Sequence, residues 1–250
     1  MGDRENGVPG APASSQSPSS IAHSPLRLYY GGTFDPVHNG HLAIARAACD
    51  ELGVPVRLMP AADPPHRAPP GADARQRAHL LDLAVQGEDG LLVDRRELHR
   101  AEREPDGRSY TIDTLHELRA ELGAAVPVAL LVGADSLVGL PTWRAWRELF
   151  ALAHFVVAER PGSPLDEAEL PPALADALAG RWTKSVDALR NEAAGRVYRL
   201  DQPLRPESAT DIRRRIAAGA PWRHLLPPAV AAAIADERLY LHGAVSAGPL

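Results

Sequence analysis

The chain has 250 residues, 45% of them apolar, and a formal net charge of −5, which suits one large α/β domain or two small ones. That charge leaves no basic footprint for a nucleic-acid polymer, and no apolar run is long enough to span a membrane. Cys49 is the only cysteine and Lys184 the only lysine. An internal disulfide is therefore excluded, and any phosphate must be met by Arg, His and backbone amides rather than by a P-loop lysine.

Residues 1–24 are rich in Gly, Pro, Ala and Ser, with almost no large apolar side chain. Such a segment cannot bury enough surface to offset its ordering entropy, so a disordered N-terminal tail is expected. It has no apolar signal core, and Asn6 stands where a myristoylation signal needs Ser or Thr. Residues 244–250 read as a second short tail. This leaves 25–243 as a single domain, expected in the cytoplasm.

Strand-like and helix-like runs then alternate, the pattern of a parallel α/β sheet. Strands are expected at Leu26–Tyr30, Val54–Pro60, Leu91–Asp94, Pro127–Val132, His154–Ala158 and Arg196–Leu200. Helices are expected at Asn39–Leu52, Ala74–Gln86, Thr111–Leu122, Thr142–Phe150, Ala209–Ala218 and Ala229–Asp236. Gly53, Gly123 and Gly219 stop three of these, and Ser208 stands at the cap of another. Residues 161–194 read as helical pieces over one side of the sheet. No internal repeat is present.

The chemistry concentrates between the first strand and the first helix, in Gly31-Gly32-Thr33-Phe34-Asp35-Pro36-Val37-His38-Asn39-Gly40-His41. Strand, Gly-rich turn and helix bring backbone N–H groups and a positive helix end to the carboxyl edge of a sheet, where anions bind. Gly31 and Gly32 let the backbone turn sharply and a phosphate approach closely. Pro36 stiffens the turn. His38 and His41, three apart, can share a face and donate to phosphate oxygens. The bland alternative is a Gly turn with two surface histidines.

Three further segments carry their own chemistry. Ser208-Ala209-Thr210-Asp211-Ile212-Arg213 reads either as a capped helix start or as a second anion site, with Arg213 one turn on. Gly133-Ala134-Asp135-Ser136 follows the fourth strand, where a carboxylate suits a sugar diol or a helix N-cap. Pro64-Pro65-His66-Arg67 is a stiff loop ending in groups that suit a phosphate. His38 and His41 could share a metal, but no third ligand and no closed zinc constellation stands near them in sequence. His79, His99, His116, His154, His224 and His242 have no motif context.

The Gly31–His41 segment resembles the GGxFDPxHxGH signature of the HxGH nucleotidyltransferases. From Leu26 to Leu241 the chain is similar to the bacterial nicotinate mononucleotide adenylyltransferase family. That resemblance implies a Rossmann-like, doubly wound parallel sheet of the nucleotidyltransferase type. It implies adenylyl transfer from ATP to nicotinate mononucleotide, with Mg2+ accompanying ATP and no nucleic acid or membrane as partner. It makes His38, His41 and Arg213 the catalytic groups. Gly31, Gly32, Thr33, Phe34, Gly133, Asp135, Ser208 and Thr210 become the ATP site. Ser208, Thr210 and Arg213 match the family's SxTxxR element, although the preceding residue, usually apolar, is Glu207. His66 and Arg67 match a mononucleotide loop, Thr111 of Ser109-Tyr110-Thr111 the pyridine-carboxylate contact, and Trp143 of Pro141-Thr142-Trp143 the stacking indole. Arg160 of Arg160-Pro161-Gly162 matches a phosphate contact.

The segment from Glu97 to Ser109 is longer than the family's, which leaves the acid-versus-amide choice at the ring less firm than the reaction type. A transferase of the same scaffold acting on nicotinamide mononucleotide or phosphopantetheine is the alternative, with Ser109–Thr111 and Trp143 as discriminators. A nucleotide-binding regulator without turnover and a histidine–metal hydrolase are further alternatives. Oligomeric state is not set by the sequence.

Overall fold

The computed structural model describes residues 26–62, 71–104, 109–159, 161 and 165–241. The expected tails, residues 1–24 and 244–250, lie outside the described residues, as do His66, Arg67 and Arg160. In chain order the first half runs β1 (Arg27–Gly32), α1 (Asn39–Leu52), β2 (Val56–Pro60), α2 (Ala74–Val85), β3 (Leu91–Val93), α3 (Arg96–Arg103) and α4 (Thr111–Leu122). There follow β4 (Val128–Gly133), α5 (Ala134–Val138), α6 (Leu149–Leu152), β5 (His154–Ala158), α7 (Pro172–Leu178), β6 (Trp182–Thr183), α8 (Val186–Asn191), β7 (Val197–Arg199), α9 (Ala209–Ala217) and α10 (Pro228–Asp236).

The seven strands form one sheet in the order β3-β2-β1-β4-β5-β7-β6, and every pairing is parallel. The chain winds outward from β1 to β3, then returns to lay β4 on the other side of β1. At such a reversal the connections leave in opposite directions and open a crevice beyond the carboxyl ends of the strands. Gly31, Gly32 and Gly133 stand at that edge.

Alternation along β1 divides the interior. Leu28 and Tyr30 point into one core, with Leu42, Leu81, Ile212 and Ile234 from α1, α2, α9 and α10. Tyr29 points into the other, with Leu115, Leu137, Trp146 and Phe155. Sequence and structure agree on α1 and α4 to the residue, and on the other strands and α2, α9 and α10 within two residues at each end. Residues 161–194 do hold helical pieces, α7 and α8, and also the edge strand β6, too short for any periodic signal.

Besides the short α5, not among the expected helices, two segments differ from expectation. Thr142–Phe150 is not one helix: a 3-10 turn at Leu140–Thr142 is followed by turns and only then by α6. Ala145 holds φ 51°, which reverses the chain and ends helical propagation. Conversely, α3 escapes prediction because Leu98 is its only large apolar residue. Ion pairs hold it instead: Arg96 with Asp94 and Glu121, and Arg100 with Glu117.

His154 opens β5 with no exposed surface. Its Nδ1 accepts from the Arg196 N–H at 3.0 Å, and its Nε2 lies 2.8 Å from the Glu192 carbonyl, which fixes the neutral Nε2–H tautomer. Burial pushes its pKa below the usual histidine value. The unfolded chain therefore takes up this proton first, at about pH 6.5, so the stability linked to His154 is full above that pH and lost below it. The melting temperature should fall between about pH 7.5 and about pH 5.5, and His154→Gln should show a smaller fall over the same interval whatever its absolute value.

Candidate active site

A helix start leaves N–H groups without partners, and the residue types that usually cap it are Ser, Thr, Asp and Asn. At α1 two histidines take that role. The His41 N–H donates to His38 Nδ1, and the His38 N–H donates to His41 Nδ1, each at 3.3 Å. This reciprocal capping box stacks the two rings, centroids 3.6 Å apart and planes 23° apart. With both Nδ1 atoms accepting, the ring protons sit on Nε2, on the edges turned away from the backbone they cap. Gly40 lies against the His38 ring: a β-carbon there would lie 3.1 Å from His38 Nδ1, a tight contact. His41 also meets Phe34 edge-on at 5.0 Å.

Asp35, 4% exposed, ties this turn to the rest of the molecule. Its carboxylate accepts from the Gly71 and Ala72 N–H groups and from the Tyr240 hydroxyl at 2.8, 3.1 and 2.8 Å. Burial, and then the Asp35 charge, push the Tyr240 hydroxyl well above its ordinary pKa. Arg213 donates to the Asp35 carbonyl and lies 3.4 Å from its carboxylate. The late helix α9 and the first turn thus share one junction. Arg77, with no exposed surface, lies under the same turn and donates to the carbonyls of Thr33, Ala62 and Ala72.

Beside this junction a cavity of about 310 Å³ opens at the β1–β4 crevice. Gly31, Gly32, Thr33, Gly133, Asp135, Thr111 and Trp143 all line it, together with Glu97, Ser109, Tyr110 and Arg144. The Asp135 carboxylate folds back over Gly133, where a β-carbon would meet it at 2.5 Å. Asp135 is in the first turn of α5, whose N-cap is Gly133, so the alternative reading of Asp135 as a helix N-cap is not met. The first turn of α4 begins at Thr111 with no side-chain cap on its N–H groups. Arg144 lies over the Tyr110 ring at 5.0 Å and 3.6 Å from Asp113. Among the described lining residues it is the only cation.

The other expected groups fall at the junction rather than in the cavity lining. Arg213 is tied to Asp35, three residues before His38 in the turn that leads into α1. Phe34 is 2% exposed, its ring buried in the core against Tyr30, and its φ of 48° is unusual for a bulky side chain. Ser208 stands at the N-cap of α9, but its side chain makes no capping bond. Thr210 Oγ1 accepts from Arg213 at 3.5 Å. Glu207 turns inward with its side chain 6% exposed, paired with Arg205 at 2.5 Å. Its Oε2 has no hydrogen-bond partner and lies 3.4 Å from where a Gly40 β-carbon would be.

The profile of the cytidylyltransferase-like family matches residues 29–215. A Stenotrophomonas maltophilia protein described as a probable nicotinate-nucleotide adenylyltransferase is 63% identical over 215 residues, spanning 86% of this chain and 96% of its own length. A Xylella fastidiosa protein of the same description is 48% identical over the same shares. The chain belongs to the cytidylyltransferase-like family, among its nicotinate-nucleotide adenylyltransferases. The fold agrees: the Plasmodium falciparum nicotinic acid mononucleotide adenylyltransferase, solved with NaAD, superposes with a TM-score of 0.67 over 88% of this chain and 99% of its own. At 14% identity that likeness speaks for the fold alone.

In this nucleotidyltransferase chain the sequence reading passed over Asp35, Arg77 and Tyr240, and over Glu97 and Arg144 in the cavity. Asp35 lay inside the signature but has no ligand-binding chemistry of its own there. The others stand in helices or loops whose local pattern carries no sign of the partner they meet. Replacing Arg77 by Met should remove about 3 kcal/mol of stability or more, because three carbonyls, one buried and two partly buried, lose this donor. Urea unfolding of the two proteins measures this; a loss under about 1 kcal/mol would mean that Arg77 does not hold the turn.

Proposed function

We propose that the protein transfers the adenylyl group of ATP to nicotinate mononucleotide, giving nicotinate adenine dinucleotide and pyrophosphate. The observation that carries this reading is the 63% identity to the Stenotrophomonas adenylyltransferase along nearly its whole length. The reciprocal histidine cap at the crevice gives the reading its mechanism. A 5′-phosphate oxygen of the mononucleotide forms the new bond to the α-phosphorus. The bond from that phosphorus to the bridging oxygen breaks, and pyrophosphate leaves with the electron pair. The attacking oxygen is already ionised, so no general base is needed, and catalysis rests on alignment and charge neutralisation.

In this reading the Nε2–H groups of His38 and His41 donate to phosphate oxygens, and the guanidinium of Arg213 meets them from α9. Thr33, the backbone of Gly31–Phe34, Ser208 and Thr210 complete the phosphate cradle. Gly133 and Asp135 hold the ATP ribose. Trp143 stacks on the pyridine, and Thr111 with the α4 N–H groups receives its carboxylate. His66, Arg67 and Arg160 are assigned to the mononucleotide from sequence alone. Arg144 adds the positive charge that favours an acid over an amide at that end.

Magnesium is proposed as the companion ion of ATP, held by phosphate oxygens and water, where it offsets charge on the leaving group. The groups at the junction are mainly imidazole and guanidinium, which suit phosphate oxygens. Among the described residues no group of three or more His, Cys, Asp or Glu is placed to hold a metal. No described helix is long and apolar enough to cross a membrane. We place the enzyme in the cytoplasm, with residues 25–243 as its working unit.

Two measurements test this. Pyrophosphate release should be fastest with nicotinate mononucleotide; faster release with nicotinamide mononucleotide or phosphopantetheine would overturn the substrate. His41→Ala should lower kcat by about 100-fold or more while the Kd for ATP changes much less, as for a contact that tightens in the transition state. Equal losses in both would make His41 a simple binding group.

A further inference from the structure

The mechanism leaves one buried charge unused. Glu97, on α3, lines the cavity and is 8% exposed. Burial pushes its carboxyl pKa up, against the pull of its hydroxyl partners and Arg100. The Ser109 hydroxyl donates to Glu97 Oε2 at 2.7 Å, and the Thr114 hydroxyl donates to Oε1 at 2.9 Å. Arg100 Nη2 in turn donates to both hydroxyls, at 3.0 and 2.7 Å. Two parallel relays therefore run from a guanidinium through a hydroxyl to a carboxylate. Each hydroxyl uses its proton on one side and a lone pair on the other, so neither can rotate without losing a bond.

Ser109 and Thr114 bracket the turn that starts α4. Between them lie Tyr110, its N-cap residue, and Thr111, its first helical residue. No side chain caps those N–H groups. The position of this helix start against the cavity is thus set from behind, by α3. We infer that Glu97 is a positioning residue for the acceptor: through Ser109 and Thr114 it fixes the Tyr110–Thr111 turn so that Thr111 and the α4 N–H groups meet the pyridine carboxylate. This rests on the proposed function, which places the pyridine at that end.

The charges separate positioning from simple electrostatics. Arg100, which also pairs with Glu117 at 2.9 Å, faces Glu97 across the hydroxyls. In Glu97→Gln the Arg100 charge stays. If Glu97 acted only through its charge, the variant would bind the acidic mononucleotide more tightly. If it acts by position, the variant binds less tightly, because the Gln amide can accept from only one of the two hydroxyls.

Steady-state kinetics of the full chain decide between these. Glu97→Gln should raise KM for nicotinate mononucleotide by about tenfold, the scale of one lost buried hydrogen bond, with kcat and KM for ATP within about twofold of the parent. Ser109→Ala removes one relay and keeps both charges; it should raise the same KM several-fold and leave the other constants alone. An unchanged or lowered KM in both variants, or a rise shared with ATP, would overturn the inference. A parent protein that releases no pyrophosphate with nicotinate mononucleotide would instead overturn the activity on which the inference rests.

Discussion

The first turn of α1 must satisfy its own N–H groups, and it does so with His38 and His41, the imidazoles proposed to hold phosphate. This double use constrains much else. Because each Nδ1 accepts a backbone proton, each ring is held as the Nε2–H tautomer, with its donor edge turned away from the helix. The rings stack at 3.6 Å, and the His38 ring packs against the backbone at position 40, where a β-carbon would be tight at 3.1 Å. The spacing H-x-G-H thus bears on packing as well as on chemistry. An Asp cap would hold the helix equally well and leave no side-chain donor for a phosphate.

Around that helix start the molecule is tied by buried polar groups rather than by apolar packing alone. Asp35 collects backbone donors at Gly71 and Ala72, the Tyr240 hydroxyl and the Arg213 guanidinium. Arg77 collects carbonyls from the same two stretches of chain. Such groups are costly to bury unless every bond is made. They therefore specify one arrangement of the phosphate turn, the chain leaving β2 and the C-terminal helices. The Glu97–Arg100 relays do the same at the other end of the cavity. The ends proposed to take phosphate and pyridine are each held by buried polar residues, Asp35 with Arg77 at one and Glu97 at the other.

The order of elements was legible because parallel strands buried on both faces read as continuous apolar runs, and helices as 3.6-residue patterns. Val128–Gly133 and Asn39–Leu52 are clear cases. The reading failed where burial does not follow apolar periodicity. α3 is charged almost throughout, and its folding depends on ion pairs and hydroxyls supplied by α4 and the loop before it. Thr142–Phe150 has helical residue types, yet Ala145 takes a left-handed φ so that Trp143 can line the cavity while Trp146 enters the core.

By itself the sequence determined the strand–turn–helix unit at Gly31–His41, the parallel α/β class and the residue types proposed to meet a phosphate, because all three depend on neighbours within one or two turns of chain. Only the tertiary structure decided that Arg213 meets the first turn through Asp35, that Arg77 and Tyr240 belong to the same junction, and that Glu97 stands behind Thr111. Those contacts join residues far apart in sequence across buried space, where a guanidinium or carboxylate is stable only beside its partner. No local pattern records where that partner will be.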